Sequence, residues 1–349
     1  FQDNISALKP EVQFRILKDL IAADRKKKSK RGSEPGNFLT WMRGHFRKTL
    51  SDIFMEPYNR KVWACDLKKM GAYWIKDRVS TLDVEAIWER VIFREQARDW
   101  GPNSRFFFPH LGSGHLFSRI SERFSGKIKY RAEVVAVHPD SRRIVLDSGE
   151  TVEYENLISS IPLPELIRRS VPHTHEKWRA KCLEAAGRLR YNSGLIIGLG
   201  LDFDIESDKH WIYFPENLYP WFRMTVISNY SPAMAPEGKS SLMMDISYNP
   251  YRGIETAARD IIPLLKTISF LPSISEDQVI SLFEKRVKYF YPIPTLDRDR
   301  QLAVLNKYLD QNRILTIGRF GRWRYEEGNM DHAFLQGKAV ADRIVSESN

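Results

Sequence analysis

The sequence is poor in cysteine, has no long apolar run and lacks the glycine signature of a dinucleotide-binding turn. Two cysteines, Cys65 and Cys182, cannot build a disulfide framework, and no CxxC or Cys/His cluster offers a zinc site. A reducing, cytoplasmic setting fits such usage. No apolar run reaches the roughly 18 residues of a membrane span, and no charged-then-apolar leader is visible. G-x-G-x-x-G is absent: "LGSGHLF" at 111–117 supplies two of its glycines but not the third, and reads as a tight turn approaching a ligand. Internal repeats and low-complexity segments are missing too.

What is present is a chain of 349 residues, 42% hydrophobic and 28% charged, as suits a folded protein of two or more lobes. The net charge of +10 suits an anionic ligand. Nucleic acid is not expected: the basic residues are scattered, apart from "RKKKSKR" at 25–31, which leads into "GSEPGN" and reads as a solvated linker.

Periodicity predicts an amphipathic helix over 5–24, with Val12, Ile16 and Leu20 on one face and Pro10 in its first turn. Residues 37–95 read as mostly helical and aromatic-rich, and "FFFPHLGSGHLF" (106–117) as a strand end, a glycine turn and a helix start. Strands are expected between 127 and 161, then near 194–201, 210–214, 222–229 and 240–247, with helices at 174–190, 254–268 and 298–310. This interleaving gives a mixed α/β class.

Near the end of the chain, "RILTI" reads as a buried parallel strand, and a helix from about 329 carries Ala333, Gly337, Val340 and Ile344 on one face. Between them "GRFGRWRYEEGN" holds three arginines, a Trp, a Tyr and two glutamates, more than a connector needs. A helix N-terminus beside Gly328, with Arg319 close by, is a natural anion site. A plain connection with surface arginines is the alternative.

These blocks carry a resemblance. "GRFGRWRYEEGNMDHAF", "YPIPTLDRD" (291–299), "NFLTWMRGHFRKTLSDIFMEPYNRKVWACDLKKM" (37–70), "DWGPN" (99–103) and "WIYFPENLYPWFRMTVISNYSP" (211–232) resemble UDP-galactopyranose mutases, especially the eukaryotic type, in the family's order. The wider superfamily of flavin amine oxidases and protoporphyrinogen oxidases shares the closing strand–loop–helix but not the nucleotide-sugar blocks. The resemblance implies FAD as cofactor, NADPH as a possible reductant, and a UDP-sugar substrate whose pyranose and furanose forms interconvert through a flavin N5–sugar adduct. The alternatives are a non-catalytic nucleotide-sugar-binding relative and an FAD-dependent amine or porphyrinogen oxidase.

Residue by residue, the resemblance places Phe1, Gln2, Phe54, Asn59 and Trp63 at the uridine. Aromatic faces stack on a base and an Asn amide reads a carbonyl and an N–H, although Phe54 and Trp63 read equally well as core aromatics. Arg78 and Arg223 match a diphosphate clamp, where two guanidiniums give directional, charge-assisted bonds. Asn103, Trp211, Tyr213 and Tyr230 match further substrate positions, and Tyr291 and Tyr325 join the two arginines as implied catalytic residues. Gly318, Arg319, Asn329 and Met330 fall at the flavin. The family's opening strand, glycine-rich turn and helix for the FAD pyrophosphate find no match, nor does its loop with a functional histidine. The expectation is a Rossmann-like flavoprotein fold lacking its first βαβ unit, a partial chain of a longer enzyme. His115 departs from the family's glycine-rich turn and reads as a surface histidine.

The expected organisation is a helical uridine-binding lobe at 1–125, a β segment of the FAD domain at 126–165, the mixed or antiparallel sheet and helices of the substrate domain at 166–300, and the FAD domain's strand–loop–helix at 301–349. A homo-oligomer is possible within that scheme, and neither nucleic acid nor a membrane span is expected.

Overall fold

The computed structural model describes residues 5–27, 36–75, 83–95, 106–170, 176–272 and 274–348. Phe1, Gln2, Arg78 and Asn103 lie outside them. The architecture is mixed α/β. It divides into one unit of Phe1–Arg123 with Asn192–Phe290, and a second of Phe124–Tyr191 with Tyr291–Asn349. No helix among the described residues is long and apolar enough to cross a membrane.

In the first unit, helix α1 (Pro10–Lys27) begins at Pro10, after a 3₁₀ turn at Ile5–Ala7, and not at residue 5 as periodicity suggested. Proline's fixed φ suits a first helical position, and its missing N–H would be unpaired there anyway. Ile16, Leu17 and Leu20 are buried, and α1 packs on α2 (Phe38–Leu50). The Asn37 side chain accepts from Thr40 N at 2.9 Å and starts α2, which Arg47 interrupts at φ 61°. A π-turn (Ser51–Met55) then leads into α3 (Glu56–Trp63), and α4 (Val84–Phe93) is capped by Asp83.

The aromatic run before α5 (Gly112–Glu122) is not a strand: Phe106 and Phe107 are exposed, and Pro109 closes a turn through its carbonyl to Gly112 N at 2.7 Å. Proline cannot donate to a ladder, so the run has no place inside a sheet.

The unit's sheet has five strands in the order β6-β7-β8-β5-β9, from β5 (Tyr191–Leu201), β6 (Trp211–Tyr213), β7 (Arg223–Val226), β8 (Ser240–Tyr248) and β9 (Val279–Pro292). The pairs β6–β7, β7–β8 and β8–β5 are antiparallel. Alternation sorts the two faces. Leu195, Ile197, Leu199, Met224, Val226, Leu242, Met244 and Ile246 form one face, sealed by Ile261 and Leu265 of α8 (Ala258–Leu265). The long edge strand β9 escaped the sequence reading because charges interrupt its alternation and most of its residues are exposed.

The second unit holds an antiparallel meander, β1 (Val134–His138), β2 (Arg143–Leu146) and β3 (Thr151–Glu153). β4 (Leu157–Ser159) pairs with β10 (Ile314–Thr316), which is parallel to it as expected, though only Ile314 is fully buried. Helix α6 (Leu163–Ser170) packs near α7 (Glu176–Arg188), which meets α9 (Arg298–Gln311). A helical turn α10 (Gly318–Gly321) precedes α11 (Met330–Ser348). The predicted face of α11 is half-buried, while Phe334 and Leu335 beside it are exposed.

Candidate functional site

The second face of the five-stranded sheet is polar and aromatic. The register sets Tyr213 opposite Arg223 and Arg223 opposite Asp245, one row across three strands. Two residues along, Trp211 stands opposite Thr225 on the same face. Asp245 is 2% exposed and accepts from Arg223 Nε at 2.7 Å and Nη2 at 2.6 Å, whereas Arg223 keeps 29% of its side chain accessible. A half-accessible guanidinium in an aromatic surround is chemistry suited to a phosphate.

Around Tyr230 the aromatics converge. Its ring lies 5.5 Å from His210, 6.1 Å from Trp211, 5.6 Å from Phe106 and 5.0 Å from Phe108, and Phe106 stacks on Trp211 at 5.3 Å. Burial pushes the Tyr230 hydroxyl above its ordinary pKa, and the Arg223 charge pulls it only partly back, so it remains a proton carrier at neutral pH.

Helix α3 packs by β8 and brings the predicted uridine residues to the same unit. Phe54, on the π-turn, stacks on Tyr58 at 5.2 Å and 6°, and Tyr58 meets Tyr213 edge-on at 5.2 Å. Asn59 donates from Nδ2 to Met55 O at 2.7 Å. Trp63 is 1% exposed and packs edge-on against Trp74, so the described conformation sets it in the core. Lys61 fastens the helix to the loop after β6, donating to Phe214 O at 2.5 Å and Glu216 O at 3.1 Å; burial pushes its pKa down to about 8.

The second unit gathers Tyr291, Gly318, Arg319 and Tyr325. The Arg319 guanidinium lies 5.6 Å from the Tyr291 ring and 5.2 Å from that of Tyr325, and the two rings meet edge-on at 5.4 Å. Gly318 adopts φ 76° and donates to Gln336 Oε1 at 2.7 Å, tying the loop to α11. A Cβ on Gly321 would stand 2.8 Å from Ser159 O, so only glycine lets the loop lie this close to β4. Asn329 O accepts from Ala333 N at 3.0 Å, setting Asn329 and Met330 at the start of α11.

Whether these residues suit a flavin can be tested on Arg319. Its Nε is buried without a hydrogen-bond partner among the described residues, an orphan donor between two tyrosine rings at the foot of a long helix. Such a donor costs free energy unless a ligand acceptor meets it. The set fits an anionic, flat group.

Three features escaped the sequence reading. Asp245 was signalled by one carboxylate inside the apolar run "SLMMDISY". Tyr58 lay unremarked beside Asn59. Arg298 shares a helix face with Leu302, Leu305 and Leu309, and it is 1% exposed, held by Glu326 at 2.7 and 2.8 Å and by Asp299 at 3.1 Å.

Comparison with known proteins completes the picture. The flavin containing amine oxidoreductase family matches residues 7–345. A reduced UDP-galactopyranose mutase superposes with a TM-score of 0.92 at 33% identity, over 99% of this chain and 74% of that one. A putative protoporphyrinogen oxidase from Exiguobacterium sp. 255-15 follows at TM-score 0.65 and 15% identity, covering 96% and 73%. A fatty acid isomerase from P. acnes reaches 0.54 at 10%, covering 98% and 77%. The last two share the fold alone, and that fold serves oxidases and isomerases alike.

Proposed function

The chain belongs to the flavin containing amine oxidoreductase family, among the relatives of UDP-galactopyranose mutase, and from that premise we propose a flavin-dependent isomerase that interconverts the pyranose and furanose forms of a UDP-sugar. The observation that carries this reading is the 33% identity with the mutase, against 15% with the oxidase of the same fold.

In this reading Arg223 and Arg78 hold the diphosphate, which is both anchor and leaving group. Trp211, Tyr213 and Tyr230 surround it, and Tyr230, whose burial keeps it protonated, donates a hydrogen bond without adding charge. Phe54 and Asn59, with Phe1, Gln2, Trp63 and Asn103, serve the uridine. Gly318, Arg319, Asn329 and Met330 would hold FAD, with NADPH as a candidate reductant. When bound, reduced flavin supplies the nucleophile for the sugar's anomeric carbon. Tyr291 and Tyr325 flank Arg319 and keep its guanidinium at a fixed height.

UDP titration by calorimetry tests the reading. Each charge-assisted bond to a desolvated phosphate contributes roughly 1.5–3 kcal/mol, so Arg78→Ala and Arg223→Ala should each weaken UDP binding by about ten- to a hundredfold. Arg223→Lys should recover part of the loss, since a point charge lacks the fork geometry. Arg143, paired with Glu153 on the β2–β3 surface, is the control, and Arg143→Ala should bind like wild type. If both clamp variants bind UDP as wild type does, the nucleotide-sugar reading fails and an oxidase assay on amines and porphyrinogens takes its place.

A further inference from the structure

We propose that Asp245 is a positioning residue: it fixes the orientation of the Arg223 guanidinium before a ligand arrives. The proposal rests on the reading that Arg223 binds the diphosphate of a UDP-sugar, and extends it to a residue that touches no ligand.

The geometry is specific. Arg223 and Asp245 are cross-strand partners on β7 and β8, so the backbone ladder alone brings their side chains to the same face. Both Nε and Nη2 of Arg223 converge on one carboxylate oxygen, Oδ2, at 2.7 and 2.6 Å. Two bonds from adjacent nitrogens fix the plane of the guanidinium as well as its distance. Asp245 is buried to 2% while Arg223 is 29% accessible, so the carboxylate lies behind the cation. Tyr213 flanks Arg223 on the other strand and Tyr58 meets Tyr213 edge-on, which closes one side of the row with a ring and not a charge.

Two effects of Asp245 oppose each other, and their sizes decide the outcome. Its negative charge weakens the attraction of Arg223 for an anion. Its hydrogen bonds remove rotamer freedom that Arg223 would otherwise lose on binding, and a long Arg side chain has much of it to lose. The carboxylate stands behind the guanidinium and so lies farther from the anion than Arg223 does, which weakens its repulsion, whereas misalignment of the short phosphate contact acts in full. Positioning therefore wins, and loss of Asp245 should weaken binding despite leaving the protein more positive.

The test is UDP titration by calorimetry on the full chain at constant ionic strength, with wild type, Asp245→Asn, Arg223→Ala and the double variant. Asp245→Asn should weaken UDP binding about tenfold when Arg223 is present and less than about twofold in the Arg223→Ala background. A merely structural role would give the same loss in both backgrounds, and that result overturns the proposal. So does Asp245→Asn binding as tightly as wild type, because charge relief then matches or exceeds positioning. If Arg223→Ala alone binds UDP normally, the diphosphate reading fails and the proposal falls with it, a result separate from the other two. Should Asp245→Asn not fold, Asp245→Glu keeps the charge and displaces the carboxylate. A loss with Asp245→Glu that again vanishes without Arg223 supports positioning, and an undiminished affinity refutes it.

Discussion

Removal of Glu326 offers a sharp test of how the second unit holds its loop. Arg298 at the start of α9 is 1% exposed, and Glu326 takes two of its guanidinium nitrogens at 2.7 and 2.8 Å. Burial alone would raise the Glu326 pKa; the Arg298 hydrogen bonds and charge outweigh it and hold the carboxyl below its usual range. Glu326→Gln removes that carboxylate from a buried guanidinium, which keeps Asp299 at 3.1 Å. Breaking a buried pair costs about 3–5 kcal/mol, and Asp299, half exposed, offsets only part, so about 3 kcal/mol is expected. Arg298→Met should cost less, because Glu326 keeps Arg324 at 3.4 Å and a fifth of its side chain is accessible. The Arg298→Met, Glu326→Leu double variant removes both charges and should cost far less than the sum of the singles. Denaturant unfolding with hydrogen exchange of the 318–329 peptide measures all three. A Glu326→Gln cost below about 1 kcal/mol, or strict additivity, would refute the coupled-pair account.

Two further outcomes follow from the same loop. A Cβ on Gly328 would stand 2.0 Å from Arg319 Nε and 2.9 Å from its Cβ, so Gly328→Ala should displace Arg319 and cost about 1–3 kcal/mol in denaturant unfolding; an unchanged midpoint counts against the close approach. The Glu326 pKa is depressed in the folded state, so its contribution is present above the unfolded value, about 4.3, and is lost as pH falls through the folded value; the stability gap between wild type and Glu326→Gln should therefore shrink from pH 6 toward pH 3.

How much was legible in the sequence depended on what each residue answers to. Strands β5, β7 and β8 announce themselves because one face is entirely apolar and alternation reports that directly. β9 does not, since Glu284, Lys285, Arg286 and Lys288 face water along an edge strand and no core imposes a period on it. Gly318, Arg319 and Tyr325, on the proposed flavin loop, are close in sequence, so their gathering is local and readable. The pairs Arg223–Asp245 and Arg298–Glu326 join residues 22 and 28 apart, and only the strand register and the α9 helix face bring them together. Trp63 answers to both of its readings: its position matches a base-stacking residue, and its described side chain packs on Trp74 with 1% exposed.

The two buried pairs have one logic. In each, one member is almost fully buried and the other lies among the proposed site residues: Asp245 behind Arg223, and Arg298 behind Glu326, the neighbour of Tyr325. Desolvating two charges costs about what their attraction returns, so neither pair is explained by stability. What a buried partner does supply is one allowed orientation, because any other rotamer leaves a charge unmatched in the interior. An apolar pair of equal volume would keep the fold and release that orientation. The Arg298→Met, Glu326→Leu protein is thus the informative one: it should melt near wild type, yet its 318–329 amides should exchange faster, because Tyr325 and Arg319 sit on a loop that has lost its buried ion pair and keeps the more exposed Arg322–Glu327 one. If exchange in that peptide is unchanged, the loop is held by the Gly318–Gln336 bond, the Arg322–Glu327 pair and the close approach at Gly321.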